Sequence, residues 1–167
     1  MKISFFKHSE LSNFLKFKII DLKNQHWEYS PGQHLDWLNN NLNEDDYHLL
    51  ISDEKDDAIA YLNLVNVKLI RNNQHEELVL GIGNVCVDKF KEKKGLGLLI
   101  MNVANYYLKK NFKQGILLCN DTLVSFYEKA GWKLFDGEFF INNKKGQIAL
   151  MTLFQISDEI LLLNKSF

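Results

Sequence analysis

Apolar residues change their spacing several times along the chain, and each change predicts an element. Residues 2–7 read as a short strand. Leu11, Phe14, Leu15, Ile19 and Leu22 recur at helical spacing from Glu10, with Ser9 placed to cap that helix. Pro31 and Gly32 break the pattern, and Leu35, Leu38 and Leu42 define a second, shorter helix before the acidic loop Asn43 to Asp46. Tyr47 to Ser52 and Ala58 to Ile70 are β-type runs joined by the charged turn Asp53 to Asp57, a hairpin. A polar turn, Arg71 to Glu76, leads into a strand over Leu78 to Val87. From Gly95 a helix carries Leu96, Leu99, Ile100, Val103 and Tyr107 on one face and Asn102, Asn105 and Lys109 on the other. Gly115 to Cys119 is a short apolar strand, followed by a helix from Thr122 to Ala130 that stops at Gly131. Trp132 to Phe140 and Gln147 to Phe154 are expected to pair around the turn Asn142 to Gly146, and an apolar tail closes the chain.

Strands at both ends, around a strand–helix–strand unit, predict a mixed sheet with helices on both faces, an α/β (α+β) class. One proline, no linker-like stretch and no repeats predict a single domain over residues 1–167.

Composition narrows the functions available. With 46% hydrophobic and 25% charged residues the chain reads as an ordinary globular protein. A net charge of −1 leaves no broad basic face, so neither nucleic acid nor a membrane surface is an expected partner. No apolar run approaches the roughly 20 residues that span a bilayer, and the N-terminal apolar stretch is too short for a signal peptide. Cys86 and Cys119 both sit in apolar strands, as buried thiols in a reducing cytoplasm do. The five histidines, His8, His26, His34, His48 and His75, show no metal-ligand spacing, so no metal is expected.

The stretch Asn84 to Gly97 carries the chemistry. An apolar strand runs into a lysine-rich turn, and Gly95 and Gly97 open the long helix. Such a helix start presents unpaired N–H groups at the positive end of its dipole, and Lys89, Lys91, Lys93 and Lys94 add mobile positive charge. The arrangement suits a pyrophosphate. It is neither a P-loop nor a full Gly-x-Gly-x-x-Gly dinucleotide fingerprint. A second cluster, Asn120 to Trp132, follows a buried strand; Leu123, Phe126, Tyr127 and Ala130 share a helix face there, which turns Tyr127 inward.

With both clusters in place the chain resembles the GNAT superfamily of acetyl-CoA-dependent N-acyltransferases. The family's phosphate signature, Arg/Gln-x-x-Gly-x-Gly/Ala, reads here Glu92-Lys93-Lys94-Gly95-Leu96-Gly97, and Asn120, Tyr127, Gly131 and Trp132 match its second hallmark. The departure is Glu92, where the family usually has Arg or Gln. The resemblance implies a mixed, mostly antiparallel sheet of about six to seven strands. It implies acetyl transfer from acetyl-CoA to a primary amine by direct attack in a ternary complex, with acetyl-CoA lying where the two central strands splay apart. Val85, Cys86 and Val87 match the strand that pairs with pantetheine. Lys93, Lys94, Gly95, Leu96, Gly97 and Leu98 match the phosphate loop, Asn120 a pantetheine hydrogen bond, and Tyr127 the general acid. The acceptor site is expected between the first two helices, at Trp27, Glu28 and Tyr29 with His34 and Trp37, and in the late hairpin, at Asp136 and Glu138. Relatives often dimerise, so a homodimer is compatible with the resemblance.

Chemistry asks for the same groups: donors for an oxyanion, and a phenol to protonate a departing thiolate. The base is left open among Glu76, Glu77, Asp88 and a water relay through Asn84 or a backbone carbonyl. The acceptor is equally open among a polyamine or aminoglycoside, an amino acid and a protein amino group, with the acidic segment Glu44 to Asp46 favouring a cation. A non-catalytic acyl-CoA-binding sensor or scaffold is the alternative function, motivated by Glu92 and the unassigned base.

Overall fold

A computed structural model describes residues 1–72 and 75–167. Among them the chain order is β1 (Lys2–Lys7), α1 (Asn13–Asn24), α2 (Pro31–Asn41), β2 (Tyr47–Ser52), β3 (Ala58–Arg71), β4 (His75–Val87), α3 (Leu96–Lys110), β5 (Gly115–Cys119), α4 (Val124–Lys129), β6 (Lys133–Leu134), β7 (Glu138–Ile141), β8 (Lys144–Lys145), β9 (Ala149–Thr152) and β10 (Ile160–Leu163). Part of the predicted turn from Arg71 to Glu76 lies outside the described residues. The chain divides into two compact units, Met1–Val65 with Gly83–Val103, and Asn66–Ile82 with Ala104–Phe167.

In the first unit β1 runs antiparallel to β2, and β2 antiparallel to β3. α1 buries Ile19 and Leu22 against Leu50, Tyr61 and Cys86, each such side chain contributing roughly 1.5–3 kcal/mol by leaving water. The helix starts at Asn13, because the Ser12 side chain accepts the Leu15 N–H; Ser9, the expected cap, lies in a 3-10 turn over His8–Glu10. The expected apolar face is also corrected. Phe14 is exposed with the Lys18 ammonium 4.5 Å over its ring, while Ile20 and Lys23 are buried. α2 opens on Pro31, with Ser30 and Gln33 forming a reciprocal capping box.

Polar groups enter this core as a connected chain. His8 Nδ1 lies 2.9 Å from His48 Nε2, and His48 Nδ1 lies 2.8 Å from the Tyr61 hydroxyl. Burial pushes the His48 pKa down to about 3. A neutral ring offers one donor and one acceptor, so both of its bonds are satisfied with the proton order running one way along the chain.

In the second unit the strand order is β6-β9-β5-β4-β3-β10-β7-β8. The β4–β5 and β7–β10 pairs are parallel, and the other recorded ladders are antiparallel. The mostly antiparallel mixed sheet matches expectation, but among the described residues ten strands are recorded, β1 and β2 of the first unit included, where six to seven were predicted. The late hairpin is divided. β9 pairs with β6, whereas β7 turns back on β8 through Asn142 and Asn143, both at positive φ as a tight two-residue turn requires. The tail supplies β10, which lies between β3 and β7. Gly137 admits it, since a Cβ there would stand 2.5 Å from the Glu159 carbonyl oxygen.

Asn105, expected on the polar face of α3, is 6% exposed. Its Nδ2 donates to the Ala130 carbonyl at 2.7 Å, and its Oδ1 accepts from Trp132 Nε1 at 2.9 Å. One side chain thus ties α3 to the end of α4. Replacing Asn105 by Leu leaves both partners unsatisfied in the interior and is expected to cost roughly 2–4 kcal/mol in chemical denaturation. A loss below about 0.5 kcal/mol would show that water replaces the amide.

Candidate functional site

In the first unit the end of β4 is shaped by Asn84, whose backbone is left-handed at φ +53°. Its Nδ2 donates to Asn63 Oδ1 at 2.7 Å. Beyond it the Asp88 N–H donates to the Ile59 carbonyl at 2.9 Å, so Asp88 faces β3 and Val87 faces the other edge. The Val87 carbonyl accepts from His26 Nε2 at 2.6 Å, which places the His26 ring proton on that nitrogen. Cys86 is buried between these positions, and burial pushes its thiol up to about 12.

The phosphate-loop candidates follow. The Asp88 carboxylate accepts the Phe90 N–H, turning the chain into a 3-10 segment over Lys89–Lys91. Lys91 pairs with Asp53 at 2.6 Å, its hydrogen bond holding the Asp53 carboxyl at about 2. This corrects the expectation that Lys91 is mobile positive charge. Lys93, at φ +58°, and Gly95, at φ +83°, reverse the chain into α3. The first recorded helical bond runs from the Leu99 N–H to the Gly95 carbonyl. The N–H groups of Leu96, Gly97 and Leu98 therefore have no acceptor within the helix. No acidic residue lies in the first turn, Lys93 and Lys94 are exposed, and nothing stands within 4 Å of where a Gly95 Cβ would be. An open cradle of backbone donors with two adjacent ammonium groups fits a pyrophosphate; Glu92, also exposed, is the opposing charge.

A cavity of about 340 Å³ opens in the same unit, lined by Lys23, Trp27, Tyr29, Gln33, His34, Trp37 and Asn84. Of the predicted acceptor residues, Trp27 and Tyr29 meet there with His34 and Trp37, while Glu28 is exposed and stands outside the lining. His34 Nε2 donates to the Trp27 carbonyl at 3.2 Å, and Tyr29 lies edge-on to the His34 ring. Lys23 is 2% exposed, with its ammonium 4.3 Å over the Trp37 ring, and burial pushes its pKa down to about 8. Sequence reasoning missed Lys23 and His26. Lys23 was signalled by its place four residues after Ile19, on the buried stripe. His26 meets a carbonyl 61 residues away and had no local signal.

The second unit holds the other candidates. Asn120 starts the 3-10 turn Asp121–Leu123, and its side chain makes no capping bond there. Tyr127 is buried on α4 and packs edge-on to Phe126, with ring centroids 4.9 Å apart. Among the described residues its hydroxyl takes no hydrogen bond, and burial, with Cys119 adding to it, pushes its pKa up to about 12. Leu123, expected on the same inward face, is 44% exposed because it belongs to the 3-10 turn. Asp136 lines a separate cavity of about 150 Å³, and Glu138 pairs with Lys145. Of the three candidate carboxylate bases, Glu76 pairs with Lys68 at 3.0 Å, Glu77 pairs with Arg71 at 2.6 Å, and Asp88 accepts the Phe90 N–H at 2.9 Å. Among the described residues no cluster of His, Cys, Asp or Glu is placed to hold a metal, and no helix is long and apolar enough to cross a membrane.

No family model matches the sequence, and no curated protein does. Solved structures do. An acyl-CoA N-acyltransferase from Pseudomonas aeruginosa superposes with a TM-score of 0.65 at 18% identity, over 91% of this chain and 99% of its own. The aminoglycoside 6'-N-acetyltransferase from Enterococcus faecium gives 0.66 at 17%, over 95% and 100%. A GNAT family N-acetyltransferase from Escherichia coli, solved in complex with CoA, gives 0.67 at 13%, over 97% and 89%. The fold of this chain is therefore the GNAT fold.

Both thiols are buried and unpaired. A thiol-specific reagent is expected to label the native protein about two orders of magnitude more slowly than the denatured protein, in which both titrate. Labelling of native Cys86 at the rate of free cysteine would contradict its placement.

Proposed function

We propose that this chain is an N-acetyltransferase that moves an acetyl group from acetyl-CoA to a primary amine by direct attack in a ternary complex. The observation that carries the reading is the loop from Lys93 to Gly97. Two left-handed residues there leave three N–H groups at the start of α3 without helical acceptors, beside two exposed lysines. Those groups would hold the pyrophosphate, and Val85 to Val87, with Asn120, the pantetheine arm. When bound, the co-substrate supplies an activated thioester.

The chain's own groups do the rest. The acceptor amine enters the cavity lined by Trp27, Tyr29 and Asn84. Donation to Asn63 leaves the Asn84 side-chain oxygen as an acceptor, and we assign the amine's proton to a water held there. A backbone N–H near Val85 meets the developing oxyanion. Tyr127 holds the proton that the departing thiolate needs. A phenol pushed up to about 12 is fully protonated at neutral pH, so its proton is still in place when the thiolate leaves. A binding module without turnover is the second reading, favoured by the absence of any carboxylate from the described cavity lining.

Thiol release from acetyl-CoA in the presence of a panel of amines separates the two, since turnover with any amine excludes the binding-only reading. Tyr127→Phe is expected to lower kcat by about 10²–10³-fold with CoA affinity retained; an unchanged rate would remove Tyr127 from the mechanism. Gly95→Asp is expected to weaken CoA binding at least about tenfold in calorimetry, through repulsion and the strained φ. Unchanged affinity would place the phosphates elsewhere.

A further inference from the structure

The cavity lining carries an imbalance of charge. Lys23 is 2% exposed, and among the described residues its ammonium forms no ion pair and no hydrogen bond. Its recorded contact is the face of Trp37 at 4.3 Å. An aromatic face offsets part of the cost of burying a charge, but a buried ammonium ordinarily has a carboxylate. The other lining side chains are Trp27, Tyr29, Gln33, His34, Trp37 and Asn84, and none is an acid. His34 is not a counter-charge either, since an imidazole is neutral or cationic, and burial and the nearby Lys23 disfavour its charged form. Lys23 itself, at about 8, is protonated at neutral pH.

The acidic segment that favoured a cationic acceptor is occupied elsewhere. Asp45 pairs with Lys7 at 2.7 Å, and the Asp46 carboxylate accepts the Asn43 N–H at 2.8 Å. A polyamine would bring a second ammonium into a cavity whose charged lining group is already positive. A molecule bearing both an amine and a carboxylate supplies the missing counter-charge. The volume of about 340 Å³ suits one molecule of amino-acid size, with Trp27, Tyr29 and Trp37 to cover its apolar part.

We propose that the acceptor is a small amine that also carries a carboxylate, an amino acid in the broad sense, and that Lys23 receives that carboxylate. This rests on the reading above that the cavity takes the acceptor.

The test compares acceptors that share one amine and chain length: 5-aminopentanoate, pentylamine and 1,5-diaminopentane, with α-amino acids as a second series. Two readouts are taken, thiol release from acetyl-CoA and calorimetric binding of each amine without acetyl-CoA. Acid-bearing amines are expected to exceed the plain amine about 10–100-fold in kcat/KM and to bind more tightly, with the diamine weakest. Lys23→Met is expected to bring the acid-to-plain ratio near one, and Lys23→Arg to retain it. A diamine equal to or better than the amino acids overturns the proposal, as does an unchanged ratio in Lys23→Met; if that variant does not fold, the wild-type ratio decides. Where no amine is turned over, the transferase reading fails and binding decides this inference separately. Saturable binding of acid-bearing amines that Lys23→Met abolishes supports it, and no binding by the wild type overturns it.

Discussion

The hydrogen bond from Asn84 to Asn63 fixes the geometry on which the candidate site depends. β4 is thirteen residues long, and a left-handed residue inside a strand is a local strain of about 1–3 kcal/mol. Asparagine tolerates that region better than other non-glycine residues. A 2.7 Å bond to a fully buried partner then holds it there. The break resets the alternation of the strand. Beyond it Cys86 faces the core, Val87 presents its carbonyl to His26, and Asp88 both pairs with Ile59 and starts the turn towards Lys93. Cavity wall, strand edge and the candidate phosphate loop follow one backbone irregularity.

The interior beside that irregularity is unusually polar for a core, and its groups fall into two kinds. His48, between His8 and Tyr61, has both ring nitrogens engaged, so its burial costs little beyond desolvation. Lys23, on α1, has an aromatic face in place of an acceptor. Satisfied polar groups specify a core; an uncompensated one next to open volume breaks that rule, as groups at functional or strained sites do. The two kinds differ in what they can do, although both are equally hidden from bulk water.

What was legible in the sequence was whatever local pattern decides. β1, β2 and β5 appeared with their observed bounds because period-two or fully apolar runs of that length have few alternatives, and the α3 start was marked by its glycines. Choices between near-equal local solutions were not legible. Ser9 and Ser12 are both acceptable caps, and the Glu10 carboxylate, which accepts the Lys7 N–H, settles the chain in a 3-10 turn before α1. Long-range competition was hidden altogether. β7 was expected opposite β9, but the tail strand takes its edge through a close approach that only Gly137 allows. Asn105 looked like a solvent-facing polar residue until Trp132 and the Ala130 carbonyl, more than twenty positions away, claimed it. In the candidate site, the residue types given by the motifs sit on the elements foreseen for them, while Lys23 and His26, whose roles come from packing, did not show.

Glu92 stands as an opposing charge just before the loop. Three backbone donors are fixed in direction by α3 and lose nothing to conformational entropy when an anion arrives. Glu92 is exposed, so its field is screened by water and salt and its side chain is able to turn away. Lys93 and Lys94 stand against that one carboxylate, and Lys91 has already been neutralised by Asp53. A side-chain departure from the signature therefore leaves the backbone cradle intact. Loss of the positive φ at Gly95 would reach the cradle itself, because that angle aims the three N–H groups.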